Sequence, residues 1–145
     1  WVPKGTFLLP ATEAKLGEGA TIVVSEKIMT HGSQSATTTF KVDLDGADSS
    51  AHVISRSVAK DDSKQLFIPE VNGNNRCSGH TECDAIVMDN ATVSAVPKVS
   101  ANDVEASLIH EAAIGKIAGE QLMKLMTLGL SEKDAEEHII NGFLK

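Results

Sequence analysis

Residues 75–116 read NRCSGHTECDAIVMDNATVSAVPKVSANDVEASLIHEAAIGK, and they join a β-rich part of the chain to a helical part. This segment contains both cysteines of the protein, Cys77 and Cys83, with His80 between them. Short runs of alternating apolar residues surround these side chains, which is the pattern of half-buried strands. We therefore expect the two thiols and the imidazole to project from β-strands.

The chain before residue 117 carries further runs of β-branched residues, separated by turn-forming Gly, Asp, Asn and Ser. The predicted strands are residues 21–29, 36–44, 50–59, 64–71, 82–89, 91–99 and 105–112. A sandwich, a barrel and a β-solenoid all fit this pattern. Two details favour the solenoid: between the strands an Asn-Gly hairpin signature occurs only at Asn72-Gly73, and the apolar residues are small and aliphatic.

Composition limits both the core and the partners. Aromatic residues make up 3% of the chain and tyrosine is absent, so the core is expected to consist of Val, Ile, Leu and Ala. The formal net charge of −7 argues against nucleic acid as a partner, because phosphate binding requires clustered Lys and Arg.

The cysteines and the apolar runs indicate in which cellular compartment the chain is expected. Two cysteines do not make the disulfide framework of a small secreted domain, which predicts a reducing cytoplasm. No apolar run approaches the roughly 20 residues of a membrane span, so no membrane partner is expected. Because the first residue is Trp1, we expect the chain to be a piece of a longer protein.

The C-terminal sequence IAGEQLMKLMTLGLSEKDAEEHIINGFLK has an apolar period near that of an α-helix. Gly129 is expected to end a first helix, and Ser131 is expected to cap a second helix together with Asp134. The residues predicted to line the apolar faces are Leu122, Leu125, Met126 and Leu128 in the first helix and Ala135, Ile139, Ile140 and Phe143 in the second.

The change from alternating apolar residues to a helical apolar period divides the chain into two parts. Residues 1–116 are assigned to a β domain and residues 117–145 to a helical segment. The helical hairpin either covers the end of the β stack or presents a docking surface to a partner, and the sequence favours neither. The predicted fold class is therefore mainly β with a C-terminal α-helical hairpin.

Cys77, His80 and Cys83 form a C-x2-H-x2-C run, and thiolate and imidazole are ligands of zinc and iron. A structural zinc site needs four ligands in paired spacings, so a closed zinc site is not expected. Residues an odd number apart on an extended segment face opposite sides, so the two cysteines would share one face and His80 the other. Cys83 is either a ligand of an open site or a small buried apolar residue.

His110 and Glu111 lie where the β part ends. If the strand continues through them, their side chains point to opposite faces. His110 is either a structural residue or a ligand, and Glu111 is either a ligand or a carboxylate that favours the start of a helix. The sequence has no G-x-S-x-G elbow, P-loop or G-x-G-x-x-G, so the chain is not expected to hydrolyse nucleotides itself.

The segments GHTECDAIVMDNATVSAVPKV (79–99) and LIHEAAIGKIAGEQLMKLMTLGLSEKDAEEHIINGFL (108–144) resemble the core domain of the SufB/SufD family, the scaffold proteins of SUF iron–sulfur cluster assembly. The family pattern has a CD-S/A segment, an HEA-x-x-x-K/R-I block, a D/E-Q-L-x-Y-L-x-x-R-G-L/I stretch and a closing I-x-x-G-F. This chain departs from it at three positions. Ile109 stands where typical SufB chains have a carboxylate, Lys124 where the pattern has tyrosine and Leu128 where it has arginine.

The resemblance implies a right-handed parallel β-helix followed by C-terminal helices. It implies an assembly scaffold rather than an enzyme, paired with a SufB/SufD-type partner or with a second copy of itself. It also implies that the C-terminal helices dock a SufC-type ABC ATPase, which would supply the ATP hydrolysis. The docking candidates are Leu122, Leu125, Met126, Ile139 and Phe143.

By the same resemblance, Cys83 matches the cysteine at which SufB assembles a nascent iron–sulfur cluster, Glu111 the glutamate implicated with it, and His110 a SufD histidine that contributes across the subunit interface. Stacked coils of a β-helix would bring these three residues together. The cluster is transient, and the isolated chain need hold none.

Three hypotheses follow from these residues. Retention of Cys83 and Glu111 favours a SufB-like scaffold. The second hypothesis is a SufD-like structural subunit that holds no cluster alone. The third is a small zinc-binding protein that uses Cys77, His80 and Cys83; outside this hypothesis, Cys77 and His80 are ligand candidates of second rank.

Overall fold

The computed structural model describes residues Thr6–Leu8 and 11–145, which form two parallel β-sheets followed by two helices. The first sheet has six strands: β1 (Thr6–Leu8), β2 (Thr12–Leu16), β4 (Ser35–Leu44), β6 (Lys64–Gly73), β8 (Thr92–Ala95) and β9 (Lys98–Ala101). The second sheet has four: β3 (Thr21–Thr30), β5 (Ser49–Ala59), β7 (Cys77–Val87) and β10 (Ala106–Gly115). Residues 1–5, 9 and 10 of the predicted β domain lie outside the described residues.

The chain alternates between the two sheets, so that each coil contributes strands to both, and neighbouring strands pair in parallel. On the second sheet residues 21, 50, 78 and 107 lie side by side, so one coil takes 28 or 29 residues. The predicted parallel β-helix is confirmed as a β-solenoid of about four turns. Backbone hydrogen bonds hold the coils in register, which explains why the sequence needs no strict internal repeat.

The inner faces of the two sheets form the core. Val42, Leu44 and Val53 are at most 2% exposed, and side chains of this kind each stabilise the fold by about 1.5–3 kcal/mol when fully buried. Phe40 and Phe67 pack edge to face with ring centroids 6.0 Å apart. Most of the buried hydrophobic residues are aliphatic as expected, apart from this aromatic pair.

Two predicted strand boundaries are wrong. The strand predicted for residues 82–89 begins earlier, at Cys77, and its start was hidden by Gly79, a poor strand former that lies on the crowded inner face. The strand predicted for residues 91–99 is divided into β8 and β9. The division falls at Pro97, which has no N–H to donate to a neighbouring strand.

Aspartates occupy corners where the chain leaves one sheet for the other. Asp48, Asp61 and Asp89 have φ values of 59°, 58° and 54°, a conformation that Asp tolerates better than most residues. The N–H of Gly32 donates a hydrogen bond to the Asp61 carboxylate, and the N–H of Asp61 donates one to the Asp89 carboxylate. Equivalent corners of successive coils are therefore tied together.

The helical segment follows β10 and consists of α1 (Gly119–Thr127) and α2 (Glu132–Phe143). Gly129 has a φ of 99° and follows the end of α1, as predicted. The Ser131 hydroxyl accepts a hydrogen bond from the Asp134 N–H at 3.2 Å, which confirms the predicted N-cap. Among the described residues, no helix has the length and apolar character needed to cross a membrane.

Helix α2 packs against the outer face of the second sheet. Ala135 and Ile140 of α2 are buried, and Ile140 lines a cavity together with Met29 of β3. The Lys27 ammonium, also on β3, donates a hydrogen bond to the backbone oxygen of Lys145. The helical segment therefore lies along the side of the solenoid and not over an end of the stack.

Candidate functional site

Strand β7 carries both cysteines and one histidine. Cys77 and Cys83 face inward and are buried, whereas His80 faces outward, as the alternation of side chains predicted. Both thiols are free, and their six-residue separation on an extended strand corresponds to about 20 Å. The C-x2-H-x2-C run therefore does not enclose a metal ion, and the zinc hypothesis based on it is not supported.

Cys83 belongs to a row of inward-facing residues, one from each coil. Glu26 of β3 lies next to Ser55 of β5, Ser55 next to Cys83, and Cys83 next to Ala112 of β10. Cys83 is 1% exposed. Glu26, Ser55 and Cys83 together form what we term the inner column.

Glu26 places a carboxyl group inside the solenoid. The Ser55 hydroxyl donates a hydrogen bond to Glu26 Oε1 at 2.8 Å, and the Thr38 hydroxyl donates one at 3.2 Å. Burial raises the pKa of Glu26, and the two hydrogen bonds oppose that effect without cancelling it. A cavity of about 10 Å³, lined in part by Glu26, Ser55 and Cys83, has room for about one water molecule.

The environment of Cys83 favours its protonated form. Burial raises the pKa of the thiol, and the nearby carboxylates of Asp84 and Glu26 raise it further. Cys83 is therefore a thiol and not a thiolate at neutral pH in the free chain. A metal ion that bound there would displace the proton, because thiolate is the form that ligates metals.

His110 faces inward from the edge coil. Its Nδ1 lies 2.6 Å from the hydroxyl oxygen of Thr81, the residue opposite it on β7. Partial burial lowers the pKa of His110, and the nearby His80 lowers it further. The imidazole is therefore neutral at pH 7, the form that binds metals, and it lies diagonal to Cys83 on the same inner face.

Glu111 lies on the opposite face of β10. It is exposed, its Oε2 lies 3.5 Å from His80 Nε2, and its neighbour on β7 is Glu82. The expectation that stacked coils bring Cys83, His110 and Glu111 together is therefore wrong for Glu111. The cause is the two-residue period of a strand, which turns adjacent residues to opposite faces.

The outer face of the second sheet carries a cluster that we term the outer quartet: His52, His80, Glu82 and Glu111. The rings of His52 and His80 stack with centroids 4.9 Å apart and planes 7° apart. Glu82 Oε2 lies 3.9 Å from His52 Nε2, the counterpart of the contact between Glu111 and His80. In the described part of the chain, Nε2 of neither histidine has a hydrogen-bond partner, although both atoms are buried.

Four residues of these clusters were missed in the sequence: Glu26, His52, Ser55 and Glu82. Ser55 and His52 each lie one coil length before a residue of the cysteine segment, opposite Cys83 and His80 respectively. A search for polar residues at that spacing would have found them. Without knowledge of the coil length, nothing in the local sequence distinguishes them from other polar strand residues.

The last coil leaves one edge of the solenoid open. In the second sheet the strand order is β10-β7-β5-β3, so β10 is an edge strand. Ile109 and Ile114 of β10 are 52% and 42% exposed. An exposed edge strand with apolar side chains is suited to pairing with another chain.

The predicted ATPase-docking residues lie on both helices. No residue of α1 is buried, and Met123, Met126 and Leu128 are 66%, 43% and 75% exposed. The other docking candidates are half-buried: Leu122, Leu125, Ile139 and Phe143. The helical segment therefore presents an apolar surface to the solvent, chiefly from α1.

Comparison with known proteins identifies similar sequences. The profile of the family described as "SUF system FeS cluster assembly, SufBD core domain" matches residues 9–143. The "Iron-sulfur cluster assembly SufBD family protein" of Methanothermobacter thermautotrophicus (strain Delta H) is 40% identical over 113 residues, which cover 72% of this chain and 26% of that protein.

Two further relatives carry the same description. The protein of Pyrococcus horikoshii is 36% identical over 132 residues, which cover 90% of this chain and 40% of that protein. The protein of Methanocaldococcus jannaschii is 39% identical over 104 residues, which cover 71% of this chain and 33% of that protein. The chain thus spans between about a quarter and two fifths of the length of these relatives.

Proposed function

Because the chain belongs to the SufBD core domain family of the SUF iron–sulfur cluster assembly system, we propose that it is a SufB-like scaffold unit on which iron and sulfide are assembled into a nascent cluster. In this proposal it pairs with a second SufB/SufD-type subunit or with a second copy of itself. The chain catalyses no reaction of its own, and ATP hydrolysis is supplied by a SufC-type ABC ATPase.

The observation that carries the proposal is the position of Cys83 and His110 on the inner face beside the open edge. Only the coil of β10 separates Cys83 from that edge. Ala112, the residue next to Cys83 in that coil, is small and exposed, so a ligand at the open edge needs little displacement to reach the thiol. Thiolate and neutral imidazole are donors that suit iron in iron–sulfur clusters.

The proposed roles differ among the three ligand candidates. Cys83 acts as the thiolate ligand or as the sulfur acceptor, and His110 is offered to the partner's half of the site. Glu111 binds iron from the outer face, separately from Cys83. Pairing at the β10 edge would bring the open coils of two subunits together, which supports a site shared between chains.

Cys77 ranks below Cys83 as a ligand because it lies near the other end of β7, away from Ala112 and His110. His80 also ranks lower at this site, because it faces outward. The two free thiols, Cys77 and Cys83, fit assembly in a reducing cytoplasm.

The ATPase would dock on the helical segment. The exposed Met126, together with the half-buried Leu122 and Leu125, supports this assignment, because large apolar side chains at a surface favour contact with a partner. Ile139 and Phe143 of α2 would complete the docking surface. Leu125→Asp is expected to abolish complex formation with the ATPase, measured by co-purification.

Anaerobic reconstitution tests the scaffold role. The full-length complex is incubated with ferrous iron and sulfide, and cluster formation is followed by visible absorption. Cys83→Ala is expected to abolish cluster formation, whereas the matched control Cys77→Ala retains most of it. Equal cluster yield from Cys83→Ala and the wild type would overturn the assignment.

One observation favours a second candidate, a SufD-like structural subunit. Ile109, where typical SufB chains have a carboxylate, is 52% exposed on the outer face and offers no ligand atom. In that case Cys83→Ala would leave cluster yield unchanged while Leu125→Asp still abolished complex formation. The same two variants therefore distinguish the two functions.

A further inference from the structure

The outer quartet lies on three neighbouring strands of the second sheet. His52 of β5 is paired in register with His80 of β7, and Glu82 of β7 is paired with Glu111 of β10. Because all four side chains face outward and lie within one or two positions of each other, two imidazoles and two carboxylates face one small area of the surface. None of these contacts involves Cys83, which lies on the other face of β7.

In the described part of the molecule, two imidazole nitrogens of the outer quartet lack the hydrogen-bond partners that buried polar atoms usually have. Nε2 of His52 and Nε2 of His80 are buried and accept or donate no hydrogen bond among the described residues. Buried polar atoms of this kind are uncommon, because leaving them without a partner costs free energy. Their nearest charged neighbours are the carboxylates of Glu82 and Glu111.

The distances match a metal site better than a hydrogen bond. His80 Nε2 and Glu111 Oε2 are 3.5 Å apart, which exceeds the usual N–H···O distance. Bonds of about 2.0–2.2 Å from a tetrahedral metal ion to nitrogen and oxygen separate those two atoms by about 3.4 Å. The 3.9 Å between His52 Nε2 and Glu82 Oε2 is wider and requires a small closing movement.

We propose that the outer quartet binds one divalent transition-metal ion of the Zn²⁺ or Fe²⁺ class. Imidazole and carboxylate donors suit these ions, and two carboxylates would balance the charge of the cation. Among the described residues, no three such side chains already converge on one point, so the site closes by rotation of these four side chains when the ion binds. The proposal concerns metal binding alone and stands whether or not Cys83 takes part in cluster assembly.

Metal titration of the untagged chain tests the proposal. Zn²⁺ binding is measured by calorimetry, and Co²⁺ is used as a spectroscopic probe of ligand type and geometry. The variants are His52→Ala and His80→Ala, with circular dichroism to verify that each remains folded. The control His138→Ala removes an exposed histidine of α2.

The expected result is one Zn²⁺ per chain and a tetrahedral Co²⁺ spectrum without thiolate charge-transfer bands. Because loss of even an outer partner of a metal ligand typically weakens affinity by about 10- to 100-fold, each quartet variant should weaken Zn²⁺ binding by at least about tenfold. His138→Ala should leave it unchanged. Absence of binding, a Co²⁺ spectrum dominated by thiolate charge-transfer bands, or equal losses in His138→Ala and His80→Ala would each overturn the proposal.

Discussion

Replacing Gly46 with alanine should open the corner between the first two coils. Gly46 follows β4, and a Cβ atom built on it would lie 2.0 Å from the backbone N of Glu18 and 2.1 Å from the backbone C of Gly17. Atoms in van der Waals contact lie roughly 3.5–4.0 Å apart, so the two corners have to separate by more than about 1 Å. No side-chain rotation relieves the clash, because the opposing atoms belong to the backbone.

The cost follows from the hydrogen bonds that join these corners. Asp45 N–H and Gly46 N–H donate to the Leu16 carbonyl at 3.0 and 2.9 Å, and Gly19 N–H donates to the Ala47 carbonyl at 2.9 Å. Each bond contributes about 0.5–1.5 kcal/mol, so loss of all three costs about 1.5–4.5 kcal/mol. Alanine also restricts the unfolded chain, which stabilises the folded state by about 0.4–1 kcal/mol. We expect a net destabilisation of about 2 kcal/mol.

Urea unfolding followed by circular dichroism measures this loss. For an m-value of about 1–3 kcal/mol/M, a loss of 2 kcal/mol lowers the midpoint by about 1 M. Gly17→Ala is the matched control, because a Cβ there meets nothing within 4 Å in the same corner. The reasoning is refuted if Gly46→Ala unfolds within about 0.5 kcal/mol of the wild type, or if Gly17→Ala loses as much.

Three further predictions concern the core, the inner column and the helices. Gly79→Ala places a Cβ 2.7 Å from Leu108 Cδ2 and 3.1 Å from Val71 Cγ1, so it should lower the free energy of unfolding by about 1–3 kcal/mol. Most of this destabilisation should vanish in a Leu108→Ala background. Additive losses of stability in the double-mutant cycle would contradict the contact between the two residues. Burial raises the pKa of Glu26 in the folded state above the ordinary value of 4.5. The protonated carboxyl group therefore stabilises the fold fully below pH 4.5, and this stabilisation is lost as the pH rises through the folded-state pKa. Wild type should therefore lose stability relative to Glu26→Gln from pH 4.5 upward, and parallel urea midpoints across this range would contradict the assignment. Ser131→Ala removes the N-cap of α2 and should cost about 1 kcal/mol, measured as a lower urea midpoint, whereas an unchanged midpoint would show that the cap contributes nothing.

Local patterns in the sequence predicted most of the elements but not their register. The 3.6-residue period, Gly129 and Ser131 located both helices, because capping depends on residues only a few positions apart. The β-branched runs located the long strands for a similar reason. Pairing between coils depends on residues 28 or 29 positions apart, and the backbone groups that form it are the same in every residue.

The difference between local patterns and register between coils also explains which site residues the sequence placed correctly. Alternation along a strand correctly separated Cys83 from His80, and it separates His110 from Glu111 as well. Grouping Glu111 with Cys83 ignored that rule, since the residue that register places beside Cys83 is Ala112. His52 could not be found from local sequence, because its neighbour His80 is one coil away.

The two faces of β7 therefore separate two kinds of candidate metal ligand. Cys83 presents sulfur to the interior, whereas His80 and Glu82 present nitrogen and oxygen to the outside. Exchanging the faces would require a one-residue slip of the register that pairs β7 with both β5 and β10, which would also expose the buried set of side chains. An ion held by the outer quartet and an ion held by Cys83 thus cannot share ligands within one chain.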